Sequence, residues 1–182
     1  MIAAELMVLA FVLSTMNNKS NAETTPAPVA LARVSNCFHF LINAPLRIAA
    51  PLFGPEGERT WAGEEWDPQF LYPQPAKDVQ GAVFTVQQGG RTSVWVNTRF
   101  DVDSGRMQYV SIVPGIRAST VDVRLTAVDA STTSVEVTYV RTALDGSANE
   151  EVQALGQSDR QEGPRWQEAI ETYLRGQRDR KH

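Results

Sequence analysis

The chain has 182 residues, of which 42% are hydrophobic and 21% are charged, a composition typical of one packed domain and not of a disordered segment. Seventeen basic residues against 21 acidic residues give a net charge of -4, which lacks the basic excess that nucleic-acid binding requires. One cysteine and two histidines are too few for a zinc cluster of these residues, so the sequence predicts no metal and no cofactor.

The first 22 residues have the features of a signal peptide. Residues 6–16 form an uncharged, mostly apolar run, which suits a signal-peptide core and is too short to span a membrane. Ser20 and Ala22 are small residues that fit a peptidase site, although no Lys or Arg precedes the apolar run. We expect cleavage after Ala22, an extended mature terminus over residues 23–32, and a periplasmic or secreted protein with no stable membrane span after processing. The alternative is a cytoplasmic protein whose apolar segment packs on the domain.

Strand patterns occupy most of the remaining chain. Alternating apolar residues predict a first strand from Val34 to Ile42. Five more strands, separated by turns short enough for hairpins, are predicted at residues 79–86, 91–100, 107–113, 116–128 and 133–143. The pattern therefore indicates an antiparallel sheet of six strands. If the protein is exported, we expect its single thiol, Cys37, to be buried.

Segments outside the sheet are predicted to cover one of its faces. Residues 53–75 are rich in proline and aromatic residues, which indicates an ordered cap without a long helix. Two helices follow the sheet, because Gly156 and the pair Gly163-Pro164 interrupt the helical pattern. The apolar face of the second helix consists of Trp166, Ile170 and Leu174. The order of elements predicts an α+β fold.

Several short motifs carry a resemblance to a known family. They are Glu64-Glu65-Trp66-Asp67-Pro68, Gly81-Ala82-Val83-Phe84, Val94-Trp95-Val96 and Val137-Thr138-Tyr139-Val140-Arg141-Thr142. Together with the order of elements, they resemble bacterial members of unassigned function in the SRPBCC superfamily, which includes START-related, birch-pollen-allergen-like and polyketide cyclase-like proteins. The resemblance covers residues 33–175 and leaves residues 176–182 as a polar C-terminal tail. It implies a helix-grip fold, in which a bent six-stranded antiparallel sheet surrounds a C-terminal helix and an internal cavity.

Five side chains are candidates for a ligand-binding site in that cavity: Trp66, Tyr109, Tyr139, Arg141 and Trp166. Tyr139 and Arg141 share the apolar face of the last strand, where a guanidinium needs either an anionic ligand or a carboxylate partner. Glu65 and Asp101 are the possible partners. If Arg141 anchors the ligand, its replacement by Met is expected to weaken binding with little loss of stability. No catalytic residue is identified.

Other polar residues are predicted to lie outside the site. His39 alternates with apolar residues of the first strand, so we expect it to face outward. The acidic residues of the proline-rich segment lack calcium-loop spacing and are expected to form a solvated rim. They are Glu56, Glu58, Glu64, Glu65 and Asp67.

Three functions remain open from the sequence. The leading hypothesis is the binding of a small hydrophobic or amphipathic molecule, such as a lipid, a polyketide-like compound or an aromatic compound. The first alternative is a cyclase, dehydratase or hydrolase-like enzyme that uses Tyr109, Tyr139 and Arg141 in the same cavity, with Glu65 as an optional fourth residue. The second is a structural or interaction protein whose cavity is filled by tryptophans. The sequence leaves the oligomeric state open.

Overall fold

The structure is a computed structural model that describes residues 29–180. The predicted signal peptide lies outside the described residues. The strands are β1 Arg33–Ile42, β2 Gln69–Tyr72, β3 Val83–Gln88, β4 Arg91–Asp101, β5 Arg106–Val113, β6 Arg117–Ala127 and β7 Thr133–Ala143. The α-helices are α1 Leu46–Ala49, α2 Pro55–Glu58, α3 Asn149–Asp159 and α4 Glu162–Asp179, and single 3-10 turns cover Ala50–Phe53 and Gly146–Ala148.

All seven strands belong to one antiparallel sheet with the order β1-β7-β6-β5-β4-β3-β2. The sequence predicts six strands, and the strand that it misses is β2. This strand has only four residues and lies between Pro68 and Pro73. Proline lacks the N–H group that a central strand needs, so a proline-bounded strand is tolerated at the edge of a sheet, where β2 lies.

Alternation along β1 decides which side chains enter the core. Phe38, Phe40 and Ile42 are buried, as the period-2 pattern predicts. Because neighbouring residues in a strand point to opposite faces, Cys37 and His39 lie on the outer face. His39 is exposed, as expected, but Cys37 is also exposed, so the expected burial of the thiol is wrong.

The two predicted C-terminal helices are present, but Gly156 does not separate them. It lies inside α3 and packs on β1, where an added Cβ would come within 2.9 Å of Val34 Cγ2. The glycine therefore permits a close approach of helix and sheet. The pair Gly163-Pro164 lies in the first turn of α4, where proline is well tolerated. Helix α4 continues past the predicted boundary at Arg175 to Asp179.

Helix α4 packs on the core-facing side of the sheet, mainly against β1. Ile170 is fully buried and Leu174 is nearly so, while the Trp166 ring lies edge-on to Phe38 with ring centroids 5.3 Å apart. The predicted packing of this helix is therefore confirmed. Within residues 29–180, no helix combines the length and the hydrophobicity that crossing a membrane requires.

Candidate functional site

A partly open pocket of about 380 Å³ lies between the core-facing side of the sheet, α2, α3 and α4. Its volume falls within the usual range of small-molecule sites, about 300–1,000 Å³. All five residues that the sequence proposes for the site line this pocket: Trp66, Tyr109, Tyr139, Arg141 and Trp166. The sheet contributes three of them through the period-2 alternation of β5 and β7, and the apolar stripe of α4 contributes Trp166.

Tryptophan side chains form much of the pocket wall. The chain has four tryptophans, and all of them line the pocket. Trp61 packs against Trp166 with ring centroids 5.2 Å apart, and Trp66 packs against Trp95 at 5.5 Å. Trp61 and Trp95 are not among the five predicted site residues. The four rings lie beside the open volume of the pocket.

Indole N–H groups anchor three of these rings to the protein. Trp61 Nε1 donates to the Leu52 carbonyl at 2.7 Å, and Trp66 Nε1 donates to the Pro55 carbonyl at 3.0 Å. Trp95 Nε1 donates to a serine hydroxyl of its own strand at 2.8 Å. Because their N–H groups are engaged, these three rings present π surface and apolar edges to a ligand.

Arg141 points into the covered side of the sheet and has a carboxylate partner. Its Nε and Nη2 atoms donate to the two oxygens of Asp159 at 2.8 and 2.6 Å, which is a bidentate pair. Neither Glu65 nor Asp101, the partners considered from the sequence, makes this contact. Nη1 has no protein hydrogen-bond partner among the described residues. The guanidinium carbon also lies 4.3 Å from the centre of the Tyr139 ring, and burial raises the pKa of this tyrosine.

Tyr109 is buried and contributes its ring to the pocket wall. Its hydroxyl donates to the carbonyl of Phe53, so the hydroxyl ties β5 to the 3-10 turn before α2. Burial raises the pKa of Tyr109 well above its usual value, and the carboxyl groups of Glu58 and Asp78 raise it further. The Tyr109 hydroxyl is thus already bound to the protein.

Glu58 is the pocket residue that contradicts the sequence prediction most clearly. It belongs to the acidic group predicted to form a solvated rim, yet it is half-buried at the end of α2 and lines the pocket. Burial, and then the nearby Asp78 carboxylate, raise the pKa of Glu58 well above its ordinary value. Asp78 holds α2 in place by accepting hydrogen bonds from the backbone N–H groups of Glu56 and Gly57 at 2.9 and 3.1 Å.

Glu65, which the enzyme alternative assigns to the same cavity, does not line the pocket and is exposed. Its neighbour Trp66 follows a turn and packs against Phe84 and Trp95 of the sheet. Of the residues named for that alternative, Tyr109, Tyr139 and Arg141 line the pocket, whereas Glu65 does not.

Arg117 lies at the polar end of the pocket and pairs with Glu151 at 2.6 Å. Arg91 approaches the other oxygen of Glu151 at 2.6 Å. The pKa of Arg117 is lowered because the side chain is partly buried and lies near a second guanidinium, that of Arg141. The sequence does not predict the cluster of Arg91, Arg117 and Glu151, because these residues come from two strands and a helix.

The outer face of the sheet carries one arrangement with metal-ligating side chains. Cys37, His39 and Glu136 bring one ligand atom each to within 4.8 Å of one another, because His39 lies opposite Glu136 in the β1–β7 register. The guanidinium of Arg124 lies 3.8 Å from the same carboxylate. A cation placed there would be repelled by Arg124. We therefore do not interpret these three side chains as a metal site.

Comparisons with solved structures relate this fold to known proteins. Ara h 8.0201 is 16% identical with a TM-score of 0.56, covering 80% of this chain and 99% of its own. Norcoclaurine synthase from Thalictrum flavum is 7% identical with a TM-score of 0.57, covering 94% and 98%. One di-domain protein, the ARO/CYC BexL from the BE-7585A biosynthetic pathway, is 11% identical with a TM-score of 0.57, covering 78% and 46%.

These three structures are helix-grip members of the SRPBCC superfamily. No family model matches the chain, and no curated protein sequence matches it. The chain has the helix-grip fold, and the α+β class and the SRPBCC resemblance predicted from the sequence are confirmed at the level of the fold.

Proposed function

We propose that the protein binds a small hydrophobic or amphipathic molecule, such as a lipid, a polyketide-like compound or an aromatic compound, in the pocket between the sheet and α4. The observation that carries this proposal is a pocket of about 380 Å³ lined by all four tryptophans of the chain. The open volume leaves part of the aromatic surface of these side chains without packing contacts. An apolar guest restores those contacts.

Trp66, Tyr109, Tyr139 and Trp166 are proposed to contact the apolar body of the guest through their rings. Arg141 is proposed to contribute the N–H groups of Nη1, since Asp159 binds the Nε and Nη2 atoms. In this arrangement the guanidinium offers a hydrogen bond to a polar group of the guest, and Asp159 balances its charge.

Native mass spectrometry of protein purified without denaturant is the direct test, because a retained guest would be detected by its mass. A second test uses Nile red, a neutral dye that fluoresces strongly in apolar surroundings. The Ala169→Phe variant places a ring from α4 into the pocket, so it is expected to abolish the dye signal. The matched control Ala154→Phe adds the same ring at an exposed position of α3 and is expected to retain it. Equal dye binding by both variants would contradict the proposed site.

We also propose that the protein is exported and cleaved after Ala22, as the apolar run and the small residues before the cleavage point predict. Two contacts of the described domain are compatible with removal of residues 1–22, whereas the exposed Cys37 thiol is not what export led us to expect. The N-terminal segment is held by Asn149, which receives a hydrogen bond from the Ala32 N–H at 2.7 Å and donates to the Ala30 carbonyl at 3.0 Å. Both contacts lie after the proposed cleavage site. Intact-mass measurement on protein from its native host tests the proposal, and a full-length cytoplasmic chain would refute it.

A further inference from the structure

Glu58 differs from the other charged residues of the pocket wall. Six charged side chains line the pocket, and five of them form ion pairs: Arg117, Arg141, Asp159, Glu162 and Arg165. Within residues 29–180, the Glu58 carboxyl makes no ion pair and no side-chain hydrogen bond. Its sequence neighbour Arg59 turns away and pairs with Glu56 and Asp67. The pocket therefore contains one acidic group that the protein leaves without a partner.

The electrostatic surroundings of Glu58 are acidic. Asp78 is the charged group that acts on its pKa, and it acts in the same direction as burial. The Tyr109 hydroxyl is influenced by the same two carboxyls, and both raise its pKa. The guanidinium groups that line the pocket have their own carboxylate partners. An anionic ligand group placed beside Glu58 would meet repulsion, whereas a cationic group would be attracted.

The wall next to Glu58 is aromatic. Trp61 follows it by one helical turn, with its backbone N–H donating to the Glu58 carbonyl at 3.1 Å. Trp66 is fixed to the same short helix through the Pro55 carbonyl. Faces of indole rings attract cations more strongly than those of other side chains. A carboxyl without a partner beside indole rings complements an organic cation better than it complements a neutral or acidic molecule.

We propose that the ligand carries a protonated amine that pairs with Glu58, so that the pocket selects small amphipathic organic cations with an aromatic or apolar body. This inference rests on the proposed function, because it assigns a chemical class to the guest of the same pocket. The body of the molecule lies among the tryptophans, and its ammonium group donates to the Glu58 carboxylate, whose ionised form the bound cation favours.

The test compares three indole compounds of similar size by isothermal titration calorimetry on the full chain at neutral pH. They are tryptamine, which is cationic, its neutral alcohol analogue tryptophol, and the acidic analogue indolepropionate. A charge-assisted hydrogen bond corresponds to roughly a tenfold or greater difference in affinity. We expect tryptamine to bind at least about ten times more tightly than tryptophol, and indolepropionate to bind most weakly.

Variants then assign the preference to one carboxyl. Glu58→Gln is expected to weaken tryptamine binding about tenfold or more while changing tryptophol binding less than about threefold. The matched control Glu56→Gln removes an acidic group of the same helix that does not line the pocket, and it is expected to change neither affinity. Circular dichroism verifies that both variants are folded.

Three results would overturn the inference: equal affinities of the parent for tryptamine and tryptophol, tightest binding of indolepropionate, or equal losses for both indoles in Glu58→Gln. Equal affinities would indicate a neutral hydrogen bond from Glu58, and equal losses would indicate a structural role. If Nile red and tryptophol bind without any preference for the amine, this inference alone fails. If neither of them binds, the proposed function itself fails.

Discussion

Arg141 and Asp159 form the most buried ion pair in the described part of the chain, with side chains only 13% and 5% exposed. Replacing Arg141 with Met retains most of the stem packing but leaves the Asp159 carboxylate buried without its two donors. Removing one partner of a buried pair costs about 3–5 kcal/mol, because the remaining charge is uncompensated. We expect Arg141→Met to lower the free energy of unfolding by this amount, which corresponds to a fall in Tm of about 6–20 °C for a domain of this size.

Urea unfolding at neutral pH, followed by circular dichroism, measures the change. Arg165→Met is the matched control, because Arg165 is 77% exposed and pairs with Glu162 on the surface. Pairs of that kind contribute at most about 1 kcal/mol. The double variant Arg141→Met/Asp159→Leu removes both charges, and we expect it to recover most of the lost stability.

The reasoning would be refuted by a loss below about 1 kcal/mol in Arg141→Met, or by a double variant as unstable as the single one. Either result would show that water reaches the pair in solution. Arg141 would then fit the simpler hypothesis from the sequence, in which the guanidinium anchors a ligand and its replacement weakens binding without destabilising the fold.

Three further predictions concern the packing of α3, the pocket carboxyl and the buried tyrosine. Gly156→Ala should lower the free energy of unfolding by about 1–3 kcal/mol in urea, because the new methyl group meets Val34. The control Gly176→Ala lies in open space within α4 and should raise the free energy of unfolding by up to about 1 kcal/mol. Destabilisation by both variants would contradict the packing argument. Because the pKa of Glu58 is higher in the folded state than its ordinary value of 4.5, the folded protein binds more protons above that pH, and its free energy of unfolding should fall as pH rises through the elevated pKa. Glu58→Gln should flatten this part of the pH profile, and an unchanged profile would show that the carboxyl is solvated. Tyr109→Phe should cost about 1–3 kcal/mol in thermal unfolding, because it leaves a carbonyl of the 3-10 turn without its donor; an unchanged Tm would mean that water replaces the hydroxyl.

The sheet and its inward-facing residues could be predicted because alternation is a local property of the chain. The pattern of β7 is sufficient to place Tyr139 and Arg141 on the covered face, and the helical stripe of α4 is sufficient to place Trp166 against the sheet. Each of these predictions depends on neighbours within a few residues. The same reasoning cannot predict β2, because its four residues are too few to show a period and prolines border them.

Partners across elements could not be predicted in the same way. Asp159 meets Arg141 only because α3 continues through Gly156 and packs closely on the sheet, and no spacing rule encodes that approach. Glu58 has the sequence context of a surface acid. Its place in the pocket depends on Asp78, which lies some 20 residues further along the chain and fixes the short helix through backbone hydrogen bonds. Long-range geometry therefore determines the chemistry of the pocket, while local pattern determines its walls.

The proline-bounded strand β2 also affects how copies of the protein meet one another. An open sheet has two edges, and unpaired N–H and C=O groups along an edge can recruit a strand from another molecule, which begins aggregation. The edge at β1 lies against α3, as the contact of Gly156 with Val34 requires. The opposite edge consists of four residues between Pro68 and Pro73, and neither proline can donate to an added strand. The prolines that border β2, and that make the strand hard to predict from the sequence, thus also limit the addition of a strand from another molecule.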